Sequence, residues 1–206
     1  MVSTASESET FRNYIDGEWV AAADGRTSEN SDPANGEMIG LFPRSGQADV
    51  DRAVAAAKAA FASWRATPAP ARGEVLFRVG RLLEERKEDI ARTLTREMGK
   101  VLVEARGDVQ EGIDMAFYMA GEGRRLFGQI VPSELPNKVA MGVRDPIGVV
   151  ACVTPWNFPV AIPSWKMMAA LIAGNTVVFK PATDTPASAV KLVETFVDAG
   201  LPPGVV

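Results

Sequence analysis

The sequence predicts an α/β fold: a partial doubly wound parallel sheet behind an amino-terminal layer of helices, with a projecting β arm. Three observations predict it. The run from Gly148 to Pro186 reads as strand, helix, strand. The run from Gln47 to Ala120 carries apolar stripes of helical period, and residues 124–146 change to alternation bounded by prolines and glycines.

In chain order, the polar start MVSTASESET predicts a frayed tail over residues 1–10. FRNYIDGEWV then predicts a hairpin whose two turn residues are Asp16 and Gly17. From Gln47, the residues Val50, Val54, Ala57, Phe61 and Trp64 share one helical stripe, which TPAPAR breaks. A second helical stretch carries Leu76, Val79 and Leu83. A third carries Ile90, Leu94 and Met98 before Gly99 stops it, and a fourth carries Val109, Ile113, Phe117 and Ala120. EERKED at 84–89 reads as a solvated polar face. Segment 124–146 reads as two strands, either an edge hairpin of the same domain or an arm that pairs with another subunit.

GVVACV, Gly148 to Val153, is a short valine-rich run that predicts a strand buried on both faces and stopped by Thr154 and Pro155. TVVFK, Thr176 to Lys180, is entered through the Gly174–Asn175 turn and closed by Pro181. Between them Ser164 is the expected cap of WKMMAALIA, a helix apolar on nearly all sides. A crossover of this length requires parallel strands. Thr154 to Asn157 and Lys180 to Pro186 should therefore emerge along one carboxyl edge, where open parallel sheets bind ligands. After Pro186, Val190, Val193, Phe196 and Val197 predict an amphipathic helix ended by Gly200. A further strand is expected after GLPPGVV, because two strands leave a parallel edge open. On that expectation the sequence is the front part of a longer chain.

Composition narrows the chemistry. A formal charge of -4 gives no electrostatic reason to expect nucleic acid or an anionic membrane as partner. The absence of a long apolar run or signal core makes a cytoplasmic location the expectation. There is no histidine, so a histidine general base, a serine–histidine triad and most zinc sites are excluded within these residues. No metal ligands are expected. The single cysteine, Cys152, sits inside a strand and reads as a small apolar residue, not a nucleophile.

At the carboxyl edge Asn157 offers an amide donor suited to a developing oxyanion, or else bonds its own backbone in a turn. Lys180 is suited to a ribose hydroxyl or a phosphate, or is a solvated strand end. Trp156 either lines a pocket or packs. No glycine-rich phosphate loop accompanies them, since GEGRRLFG at 121–128 follows a helix instead of a strand.

VTPWNFP at 153–159, AGNTVVFKPA at 173–182 and AGLPPGVV at 199–206 closely resemble the aldehyde dehydrogenase superfamily. Weaker matches are IDGEW at 15–19, ADVDRAVAAAKAAF at 48–61 and EMGK at 97–100. The resemblance implies a Rossmann-like cofactor domain for NAD or NADP, of which 11–123 and 147–206 are the amino-terminal part, with a catalytic domain beyond 206. It also implies oxidation of an aldehyde through a cysteine thiohemiacetal, with the nucleophilic cysteine and the base glutamate outside these residues. By the same resemblance Asn157 donates to the substrate oxygen and Lys180 bonds the adenosine ribose. Thr154, Pro155 and Trp156 border the dinucleotide cleft, as do Pro181, Ala182 and Thr183 after the lysine. Phe158, Ile162 and Trp165 match walls of the aldehyde tunnel, although Ile162 and Trp165 also fit an ordinary core. Residues 124–146 match an oligomerisation arm, which implies a homodimer or homotetramer. Thr183 stands where NAD-preferring relatives often carry a glutamate that repels a 2'-phosphate, so NADP+ is expected to be tolerated. The alternatives are a non-catalytic nucleotide-binding module and an interaction protein that uses the arm.

Overall fold

The computed structural model describes residues 9–206. Most of the expected tail, residues 1–8, lies outside them. At residues 9 and 10 the chain is already paired, with the Glu9 carbonyl accepting the Leu41 N–H at 2.9 Å and Thr10 bridged to Leu41.

The first hairpin forms as expected. Strands β1 (Asn13–Ile15) and β2 (Glu18–Val20) are antiparallel. Asp16 and Gly17 take φ values of 54° and 86°, the left-handed pair that a two-residue turn needs. A second hairpin, β3 (Thr27–Ser31) with β4 (Met38–Pro43), was not expected from the sequence. Its signal is the turn DPANG at 32–36, where Asp32 Oδ1 accepts the Ala34 N–H.

Helix α1 (Gln47–Ala66) carries the expected stripe, with Ala57 and Trp64 buried but Val50 exposed. The break after it is confined to Thr67 and Pro68. The second and third expected helices are one: α2 runs unbroken from Ala69 to Met98. EERKED contains only residues that tolerate a helix, and Leu83 and Ile90, seven apart, keep the same buried face across it. The two expected stretches, on either side of that solvated face, are therefore successive parts of one helix. Gly99 ends α2 with φ 80°, and α3 (Leu102–Glu122) returns against it. The two helices cross closely at Gly73, where a Cβ would stand 2.6 Å from the Ala120 carbonyl oxygen.

Strands β5 (Gln129–Pro132) and β6 (Val139–Gly142) then form an antiparallel hairpin exposed at every residue. Its base is tied to α1 by Arg65, whose guanidinium donates to both oxygens of Asp145 at 3.0 and 2.5 Å.

The strand–helix–strand unit is β7 (Val149–Val153), α4 (Ala161–Ile172) and β8 (Thr176–Lys180), followed by α5 (Pro186–Asp198). β7 and β8 are parallel, in register from Val149 opposite Thr176 to Val153 opposite Lys180. β7 departs from expectation in burial. Cys152 is buried, but Ala151 and Val153 are exposed, because no described element covers the face that carries them. Ser164 is not the helix cap. α4 begins a turn earlier, and Ser164 lies inside it with its hydroxyl buried and unpartnered among the described residues. Residues 201–206 form no strand, although Val205 accepts the Val177 N–H at 2.9 Å. One apolar core, including Leu83, Leu94, Ile113, Met168, Leu171, Val177 and Phe196, joins α2, α3, α4, β8 and α5.

Candidate functional site

The parallel register brings two loops to one carboxyl edge. The Thr154 N–H donates to the Lys180 carbonyl at 3.2 Å, so the chain leaves β7 beside the end of β8. Thr154 is buried; Pro155, Trp156, Asn157 and Phe158 are exposed beyond it. Lys180 and Thr183 are exposed, and Pro181 and Ala182 half-buried. The Asn157 side-chain amide makes no hydrogen bond among the described residues, so it is available to a ligand and is not spent on its own turn.

The predicted residues fall into two groups. Lys180, Pro181, Ala182 and Thr183 border a groove of about 480 Å³, closed on other sides by α5 at Val190 and by α1 at Val50. Thr154 to Phe158 lie outside that groove, at the start of the loop leading to α4. Ile162 is half-buried in the first turn of α4, and Trp165 is exposed on the same helix.

What fixes the 154–160 loop comes from elsewhere in the sequence. Asp108, on α3, is buried, and its Oδ1 accepts the N–H groups of Val160 at 3.3 Å and Ala161 at 2.8 Å. It caps α4 in place of the expected serine. Its Oδ2 accepts from the Lys100 Nζ at 3.1 Å. The same ammonium donates to the Asn157 carbonyl at 2.7 Å and stands 3.8 Å from the Phe158 ring centroid. Burial pushes the Asp108 carboxyl above its ordinary value, against the pull of the Ala161 N–H and Lys100.

Glu97 does the same for α5. Its two oxygens accept the Ala187 N–H at 2.5 Å, the Ser188 N–H at 2.8 Å and the Ser188 hydroxyl at 2.7 Å. Burial outweighs these three donors and pushes the Glu97 carboxyl up to about 7. The roles of Glu97, Lys100 and Asp108 were not anticipated from the sequence. EMGK stood out only as a family-like string, and an acid that caps a helix distant in sequence leaves no local pattern.

Cys152 is 2 % exposed, and burial raises its thiol pKa against a smaller effect of Lys166, an environment that does not favour a thiolate. No described group of three or more acidic, cysteine or histidine side chains is placed to hold a metal ion. No helix among the described residues is long and apolar enough to cross a membrane.

Comparison with known proteins agrees with this geometry. The chain is 44 % identical over 206 residues to the alpha-ketoglutaric semialdehyde dehydrogenase of Bacillus subtilis, covering all of this chain and 42 % of that one. Among solved structures, an E. coli NADP dependent enzyme superposes with a TM-score of 0.92 at 40 % identity, over 95 % of this chain and 41 % of its own. An NAD-dependent aldehyde dehydrogenase from Sinorhizobium meliloti gives 0.92 at 35 %, over 96 % and 40 %. The chain thus spans about two fifths of the length of these relatives. The profile that describes the aldehyde dehydrogenase family matches residues 19–206, the β3–β4 hairpin, the helical layer and the whole carboxyl edge together, and the chain belongs to that family.

Proposed function

We propose that this chain forms the cofactor-binding part of an enzyme that oxidises an aldehyde to a carboxylic acid with NAD+ or NADP+. The observation that carries the reading is the carboxyl edge: an unspent amide at Asn157, in the loop that leaves β7, and an exposed ammonium at Lys180, at the end of the adjacent parallel strand β8. The residues fit a dinucleotide, since a strand-end cation opens onto a groove large enough for part of one. Lys180 would donate to the adenosine ribose, with Pro181, Ala182 and Thr183 beside it in the groove, and Thr154, Pro155 and Trp156 would border the rest of the dinucleotide outside it. Bound, the cofactor supplies the hydride acceptor.

The nucleophile and the base belong, on this reading, to the part of the relatives that this chain does not match. Asn157 has its own step. As a thiolate adds to the aldehyde carbon, negative charge grows on the aldehyde oxygen, and the Asn157 Nδ2–H donates to it. Phe158, Ile162 and Trp165 would wall the approach. The name of the Bacillus subtilis relative makes a carboxylated semialdehyde the first substrate to assay. The exposed β5–β6 hairpin serves as the arm that joins subunits into a homodimer or homotetramer.

The test uses the polypeptide in which this segment continues into the catalytic portion its relatives carry. Asn157→Ala should lower kcat by about 10²-fold or more while the Kd for the cofactor is unchanged. Unchanged kcat would overturn the assignment. The same assay with both cofactors examines Thr183: measurable turnover with NADP+ is expected, and an NAD+ preference above about a thousandfold in kcat/KM would refute tolerance.

A further inference from the structure

The loop that bears Asn157 is gripped from one side at three successive places. Lys100 takes the Asn157 carbonyl and covers the Phe158 ring, and Asp108 takes the N–H groups of Val160 and Ala161. Lys100 and Asp108 are themselves paired, with side chains 7 % and 0 % exposed. Surface ion pairs of long side chains hold geometry poorly. This one is buried, and every other hydrogen bond that either side chain makes among the described residues goes to the loop.

Lys100 follows directly on Gly99, whose left-handed turn ends α2, so the ammonium is delivered from a rigid helix end. The peptide oxygen it holds belongs to Asn157 itself. Fixing that peptide plane restricts the backbone torsions that set the Cα–Cβ direction, and so restricts where the side-chain amide can reach. An exposed amide with no partner of its own has no other described restraint of this kind.

We propose that Lys100 is a positioning residue for Asn157: its ammonium, anchored by Asp108, clamps the Asn157 carbonyl and so aims the amide at the substrate oxygen. The proposal rests on the reading of Asn157 as the oxyanion donor. It assigns to Lys100 no contact with substrate or cofactor.

A double-mutant cycle in the enzyme that includes the catalytic portion tests it. Lys100→Met should lower kcat at least about tenfold, with the cofactor Kd unchanged, because small misplacements of a reacting group are costly. In an Asn157→Ala background the same substitution should change kcat by less than about twofold, since there is no amide left to aim. If Lys100→Met lowers kcat equally in both backgrounds, or has no effect in either, the proposal fails. If Asn157→Ala alone leaves kcat intact, it is the oxyanion reading that fails, which separates the two. Should Lys100→Met not fold, Lys100→Arg, which keeps the charge but moves the donors, goes through the same cycle with the same coupling expected. Hydrogen exchange supplies a readout independent of turnover. Amides of 157–161 should exchange faster in Lys100→Met while those of β8 and α5 do not; uniform acceleration, or none, would overturn the clamp.

Discussion

Glu97 is expected to make the stability of this chain depend on pH near neutrality, although its 206 residues include no histidine. Its carboxyl is held at about 7 in the fold against 4.5 when unperturbed. The fold therefore favours the protonated form. The associated stability is complete at or below the unfolded value and is lost as pH rises through the folded one. At 1.36 kcal/mol per pKa unit, the loss approaches ~3 kcal/mol above pH 7. Two influences compete at this carboxyl. Burial resists the charge, whereas three donors at the start of α5 welcome it, and the predicted loss follows only if burial prevails.

Urea unfolding of wild type and Glu97→Gln, each at about pH 4.5 and about pH 8, measures the outcome. Glutamine cannot titrate, and the other carboxyls raised by burial, Asp108 and Glu194, are common to both proteins. The stability gap between wild type and variant should shift by ~3 kcal/mol toward the variant on going to the higher pH. A gap that stays constant within ~0.5 kcal/mol would show that the donors hold Glu97 near its ordinary value, and would refute the reasoning.

Two other consequences can be measured. Gly73→Ala should destabilise by about 1–3 kcal/mol, because its Cβ would meet the Ala120 carbonyl oxygen at 2.6 Å and neither helix backbone can yield. Gly107→Ala, with nothing within 4 Å, should be neutral or stabilising when both variants are compared with wild type by urea unfolding. Deleting residues 128–144 from the polypeptide that includes the catalytic portion should reduce the oligomer seen by sedimentation; an unchanged sedimentation coefficient would remove the arm from that role.

The parts of the fold legible in the sequence are those with short-range causes. Asp16–Gly17 specified its hairpin through left-handed torsions, and Thr176 to Lys180 specified β8 through a bounded apolar run. The length of the crossover alone implied that β7 and β8 run parallel. Where the sequence misled, the cause was at long range. Ser164 looked like a cap because serine often is one, yet Asp108, far back on α3, had already satisfied that helix end. The stripes ending at Leu83 and starting at Ile90 read as two helices because none of the residues between them is buried, although EERKED is the solvated face it was expected to be. The burial of β7 was overestimated because composition does not show whether a neighbour covers Val153, which is 66 % exposed. The candidate site divides in the same way. Asn157 and Lys180 were visible as residue types at a strand end, but the side chains that orient the Asn157 loop were not.

Residues 97–108 form a corner with two outputs. Glu97 fixes the start of α5, after β8, and Lys100 with Asp108 fixes the start of α4, after β7. The loops that follow the two parallel strands are thus tied to a single short segment, and on the proposed reading that segment helps to space Asn157 from Lys180. A graft of residues 148–186 onto another parallel sheet would carry Asn157 and Lys180 but leave behind the ties from Glu97, Lys100 and Asp108. Altering substrate scope by exchanging the β7–α4 loop would require residues 97–108 to travel with it.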